Sequence, residues 1–158
     1  MYLPALRGVV DVVDPWALTS AEEIARAAAL HRDREMAREI GRRNIEAIRS
    51  SALLVAHLDG QEPDSGTVAE LGFAAGLGLP CFAVRSDLRQ AGEPGARVNL
   101  QVEAFVIATG GRIASGLSEL VSVLSEHIAM APEPPSCAGA QPTAPGSHPG
   151  RQPLSGSR

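Results

Sequence analysis

The sequence predicts an α/β fold, a parallel sheet with flanking helices, and three observations carry that prediction. Residues 52–59, ALLVAHLD, form a mostly apolar run without alternation, the signature of a strand covered on both faces inside a parallel sheet. A second such run, PCFAVR at 80–85, follows one helix length later. Segments of helical period lie before, between and after these runs, the alternation that builds parallel sheets through helical crossovers.

Taken in chain order, GVVDVVDPW (8–16) holds a β-branched run ended by Asp-Pro and reads as a strand entering a turn. Ser20 and Glu23 make a capping-box pattern, and acidic residues fill the turn that follows, so one long helix or two abutting helices extend to Arg49. The run at 52–59 is the interior strand. It is followed by a helix from about Thr67 to Leu77, the strand at 80–85, an irregular Gly/Pro loop to Val98, a strand AFVIAT at 104–109 and a final helix. In that final helix Ile113, Leu117, Leu120, Val121, Leu124 and Ile128 fall on one stripe at the helical period. From Ala131 onward Pro, Gly and Ser dominate and large apolar residues are nearly absent, which predicts a folded domain over 1–130 and a disordered tail over 131–158.

Composition narrows the function classes. A chain of 158 residues fits one domain. With 44% hydrophobic but only 3% aromatic residues, its core is built from Ala, Leu, Val and Gly. The net charge of -4, with no Lys/Arg run and little aromatic interleaving, argues against a nucleic-acid surface while leaving room for a nucleotide-sized ligand. Cys81 and Cys137 belong to no C-x-x-C pair, so neither a disulfide framework nor a metal site is expected, and a reduced, cytoplasmic protein fits. No apolar run reaches the roughly 20 residues that span a bilayer, and nothing marks an export signal, so no membrane partner is expected.

The chemistry concentrates in DGQEPDSGTVAELGFAAGLG, residues 59–78. This stretch begins at the carboxyl end of the predicted interior strand and opens a helix, the place where open α/β sheets put their ligands. Asp59 and Asp64 in the loop and Glu70 in the first helical turn are placed to face one crevice. Thr67 and Glu70 also form a T-x-x-E capping box, in which Glu70 only satisfies a backbone donor. Asp64 reads equally as a turn residue after Pro63, and Gly60 and Gly66 as backbone positions needing positive φ. One helix start needs one cap, however, and Asp64, Ser65 and Thr67 all compete for it. That surplus beside Gly72, Ala74, Ala75, Gly76 and Gly78, which lower helix propensity, points to close approach of a neighbour or a ligand. A carboxylate favoured at a helix start is ionised and suited to attack an anomeric carbon, and a second carboxyl group can hold the sugar or protonate a leaving group.

Residues 52–89, ALLVAHLDGQEPDSGTVAELGFAAGLGLPCFAVRSDLR, resemble the signature region of the nucleoside 2-deoxyribosyltransferase family. The shared features are an apolar strand ending in Leu-Asp-Gly, then D-S-G-T-x-x-E-L-G-x-A, a Gly-x-Pro strand start and a D-x-R loop. VVDPW, RRNIEAIRSS and RVNLQVEAF resemble flanking segments more loosely. The resemblance implies a flavodoxin-like, Rossmann-like α/β fold, with Glu70 as the nucleophile that attacks C1′ of a 2′-deoxynucleoside and Asp64 as the aspartate that contacts the sugar or departing base. It implies substrate contacts at Asp59, Gly60, Ser65 and Gly66. Asn44, on the helical face of Ile40 and Ile48, matches a polar position near the base, and reads equally as a helix-face amide satisfied by backbone. Asn99 matches an asparagine that completes a neighbouring subunit's sugar pocket, so a homo-oligomer with shared sites is implied. The partners are 2′-deoxynucleosides and free nucleobases, and no cofactor is implied.

His57 reads as a core or strand-end histidine, and Asp87 with Arg89 as a loop ion pair or a helix-end contact. Two departures from the family stand out. The family opens with a strand of the type YVAGP, which this chain lacks, so the expected sheet misses its first strand; either translation begins upstream of Met1 or the protein is a remnant. The tail also replaces the C-terminal carboxylate that some members place in the site. Base exchange on 2′-deoxynucleosides is the leading expectation, with an N-glycosidase acting on deoxynucleosides or deoxynucleotides, or a nucleoside-binding relative without turnover, as the alternatives.

Overall fold

The computed structural model describes residues 2–89 and 94–130; the predicted tail lies outside the described residues. Three parallel strands, β1 (Leu54–His57), β2 (Cys81–Val84) and β3 (Ile113–Ala114), lie side by side in that order. β1 and β2 pair from Leu54 opposite Cys81 to His57 opposite Val84, and β2 meets β3 from Ala83 opposite Ile113. Around them are α1 (Leu3–Leu6), α2 (Ala21–Ala29), α3 (Asp33–Ser50), α4 (Ser65–Gly76), α5 (Leu100–Ala108) and α6 (Leu117–Met130). The expected α/β class, a parallel sheet between helices, is present.

Strand alternation divides the core into two layers. Ala56, Cys81, Ala83 and Ile113 face Leu71 and Ala74 of α4 and Val102 and Val106 of α5. Phe82, Val84 and Ala114 face Leu6 of α1 and Leu120, Val123 and Leu124 of α6. All four β2 residues are buried, so β2 is the interior strand. β1, expected there, has a neighbour on one side only among the described residues. Its apolar run records burial of both faces rather than of both edges: Leu54 and Ala56 pack on the α4 layer, while Leu53 and Val55 pack with the N-terminal segment.

The strand expected at 8–16 is absent. Residues 9–14 take no regular structure, and Pro15–Ala17 form a 3₁₀ turn capped by Asp14. Val9, Val10 and Val12 still pack on the α6 layer, so the β-branched run reflects burial without a strand to pair with.

The helical stretch from Ala21 divides in two. Ser20 and Glu23 form the predicted capping box of α2. His31, at φ 53°, ends α2: its N–H reaches Ala28 O and that of Arg32 reaches Ala27 O, the paired bonds of a left-handed helix terminus. α3 is then held against α2 by Arg43, whose guanidinium donates to Leu18 O, Thr19 Oγ1, Glu23 and Glu39.

Of residues 104–109, expected as a strand, 104–108 belong instead to α5 and Thr109 is its C-cap; Asn99 caps the other end by accepting from Gln101 N–H. Val102 and Val106, four apart, are buried, whereas Ile107 is 63% exposed. The Phe-Val-Ile run mimics a buried strand because a short helix pressed on a sheet also shows unbroken apolar sequence. The last strand is only Ile113–Ala114, and Ile113 therefore leaves the stripe assigned to the final helix. Within α6 the buried set is Leu120, Val123 and Leu124, with Ile128 40% exposed. No helix among the described residues is long and apolar enough to cross a membrane.

Candidate active site

The loop after β1 is rigidified by backbone carbonyls and one buried cation. Arg85, 2% exposed at the end of β2, donates to Leu58 O, Gly60 O and Arg89 O. Gly60 sits at φ +120°, and a Cβ there would lie 2.9 Å from Glu62 O, so the turn requires glycine. Asp59 turns away from the crevice predicted for it and accepts from Ser86 Oγ and from the N–H groups of Ser86 and Asp87. Partial burial raises its carboxyl, but the bonds from Ser86 and Asp87, with His57 nearby, outweigh that and hold it below the usual carboxylate range. Asp59 thus ties the two loops at the carboxyl ends of β1 and β2 together. Asp87 and Arg89 form the expected ion pair, and the Arg89 guanidinium holds the Asp87 carboxyl well below its ordinary value.

α4 begins two residues earlier than the sequence pattern suggests. Asp64 is its N-cap, with Oδ1 accepting from Thr67 N–H at 2.9 Å and from Thr67 Oγ1 at 3.3 Å. Asp64 thus takes the role that the T-x-x-E pattern gave to Thr67, and Glu70 makes no capping bond. Ser65 is the first residue of the helix, so Glu70 lies in its second turn, beyond the reach of most of the dipole's stabilisation. Its carboxylate is free for another partner, which is Asn44 of α3: Nδ2 donates to Glu70 Oε1 at 3.0 Å.

Gly72 and Ala74 of α4 and Gly78 just beyond it have structural explanations, whereas Gly76 has nothing within 4 Å of its Cβ position. Gly72 lies against Phe105 of α5, with a Cβ position 3.5 Å from its ring, and Ala74 is fully buried. Gly78, at φ +78°, donates to Ala75 O while Leu79 N–H reaches Ala74 O, which terminates the helix. These residues serve helix packing and termination. Gly66 is different, because a Cβ there would lie 3.0 Å from Asp64 Oδ1.

Above the end of β1, α3, α4 and the N-terminal segment enclose a cavity of about 520 Å³. Asp64, Gly66, Thr67 and Glu70 line it from α4, Ile40 and Asn44 from α3, and Tyr2, Asp14 and Trp16 from the N-terminal segment. The volume lies within the ~300–1,000 Å³ of small-ligand sites. Of the residues expected to bind substrate, Asn44 and Gly66 join Glu70 and Asp64 at the cavity; Asp59, Gly60 and Ser65 do not line it, and Asn99 is spent on the α5 cap.

His57 does line the cavity, which its reading as a strand-end residue did not anticipate. Its Nε2 lies 3.2 Å from Asp59 Oδ2 and its ring 4.9 Å from that of Tyr2. Tyr2 and Trp16 were equally invisible as wall residues, since nothing local in YLP or DPW marks a ligand; the only signal is their aromaticity in a chain that is 3% aromatic.

The family model for nucleoside 2-deoxyribosyltransferase matches residues 5–110, well over half of the chain. The chain belongs to the nucleoside 2-deoxyribosyltransferase family. The matched span includes both cavity carboxylates on α4 and the amide of Asn44. Among solved structures, a conserved protein from Enterococcus faecalis V583 aligns with a TM-score of 0.45 at 24% identity, over 77% of this chain and 76% of that one. A search of curated proteins returned no match.

Proposed function

We propose that this member of the family transfers 2-deoxyribose between nucleobases through a covalent deoxyribosyl-glutamate at Glu70. The observation that carries the reading is that Glu70 and Asp64 line one nucleoside-sized cavity at the carboxyl end of β1. In the first step a Glu70 carboxylate oxygen forms a bond to C1′ as the C1′–N glycosidic bond breaks. The base departs with the electron pair and takes up a proton. In the second step a nitrogen of an incoming base attacks C1′, releases Glu70 and gives up its proton.

Asp64 suits the second carboxylate role because its cap uses Oδ1, leaving Oδ2 for a sugar hydroxyl or the departing base. Gly66 supports it by leaving room beside that carboxylate. Asn99, which does not line the cavity of its own chain, fits a role in a neighbouring copy of a homo-oligomer. Asp59, Gly60 and Ser65 act on substrate only through the loop and helix start they shape.

Intact mass spectrometry after incubation with 2′-deoxynucleosides and no acceptor base tests the reading. The native chain is expected to gain one deoxyribosyl unit and Glu70→Ala none. A native chain that gains no mass while remaining folded, or a Glu70→Ala chain that still exchanges bases, would refute it.

A further inference from the structure

From the pairing of Asn44 with Glu70 we infer that Asn44 is a positioning residue, which acts on the reaction by holding the nucleophile rather than by reading the base. The inference rests on the function proposed above. An ionised carboxylate only accepts hydrogen bonds, so the group facing it across 3.0 Å must be the Nδ2 donor of the amide. That orientation leaves Asn44 Oδ1 buried with no partner among the described residues. A buried acceptor without a partner is uncommon, and keeping one shows that the donor end dictates how the amide sits. Were Asn44 placed to read a ligand, its acceptor would open to the cavity; instead it is closed off.

The anchor behind the amide is firm. Arg43, the preceding residue, ties α3 to Leu18 O and to the capping-box glutamate of α2. Asn44 therefore projects from a backbone fixed on two sides. Glu70, half-buried and in the second turn of α4, has three side-chain torsions, and its own helix gives it no capping bond. The amide tethers Oε1, which leaves Oε2 to form the bond to C1′ while the C1′–N bond breaks and the base leaves with its electron pair. A neutral donor orients the carboxylate without cancelling its charge, as Lys or Arg in the same place would.

The test separates action through Glu70 from contact with substrate. With 2′-deoxyinosine and thymidine as probes, Asn44→Ala is expected to form the deoxyribosyl adduct at least about tenfold more slowly, with KM within about twofold of the native chain. In the Glu70→Ala background, adding Asn44→Ala is expected to leave equilibrium binding of the same nucleosides within about twofold, because the group it acts through is gone. Asn44→Ser, too short to reach Glu70, provides a second variant with the same expectation should the alanine variant fail to fold. Binding that weakens about fivefold or more in the double variant, or an adduct rate unchanged by Asn44→Ala, overturns the inference and leaves the proposed function standing. A native chain that forms no adduct overturns both.

Discussion

Asp64 caps α4 and lines the cavity, and the proposed function gives the same carboxylate a second role that substitution can separate from the first. Oδ1 is the oxygen that caps α4, accepting from Thr67 N–H and Oγ1. Asn caps as well as Asp, whereas Ala does not cap. Asp64→Asn is therefore expected to keep the melting temperature within a degree or two, an effect of at most about 0.5 kcal/mol, while lowering the exchange rate by about tenfold or more. Asp64→Ala is expected to lose the same activity and also about 1 kcal/mol of stability by urea denaturation. Equal stability losses in the two variants would show that the charge, not the cap, holds the helix start. Glu70 and Asp64 were legible as a pair because DSGTVAE places them in one loop-helix junction. The partner of Glu70 was not legible, since Asn44 is 26 residues away and meets it only because α3 crosses α4.

At the scale of elements, the capping box and the Arg43 network act as one unit. The Arg43 guanidinium and the Ser20 backbone N–H hold the Glu23 carboxyl at about 2, and Arg42 and then Arg43 hold that of Glu39 at about 2, both from an ordinary 4.5. Depressed carboxyls stabilise the fold fully above the unfolded value and lose that contribution as pH falls toward the folded one. The gap in melting temperature between the native chain and Arg43→Met is thus expected to be widest near neutral pH and to close between pH 4.5 and about 2, mostly through Glu23. Because these groups are only partly buried and stay within reach of solvent ions, added salt should narrow the gap as well. A gap independent of pH would mean that Arg43 acts only through Leu18 O and Thr19. The capping box was readable because its two residues are three apart in sequence. The α5 helix was misread for the opposite reason: its identity depends on the sheet beneath it and on Gly72 across from Phe105, neither of which leaves a local trace.

At the scale of the whole molecule, the sheet closes at a point with no tolerance. Gly111 leads from α5 into β3 and passes so close to β2 that a Cβ would sit 1.7 Å from Cys81 O and 3.2 Å from Val106 O. Neither oxygen can yield: Cys81 is fully buried in the central strand, and Val106 O accepts the Gly111 N–H that ends α5. Any side chain here must push β3 off β2 or α5 off the sheet, opening the layer that also holds α4 and hence Glu70 and Asp64. Gly111→Ala is therefore expected to cost more than about 3 kcal/mol in urea denaturation, at the severe end for a single substitution. Gly76 supplies the control, since it ends α4 with nothing within 4 Å of its Cβ position. There the substitution adds helix propensity without a clash, so Gly76→Ala is expected to stabilise by up to about 1 kcal/mol. If the two variants proved equally stable, the close approach of Gly111 to β2 would not be what sets the sheet against α5. The sequence marks both residues only as glycines; the difference between them arises from the packing of three elements that are remote along the chain.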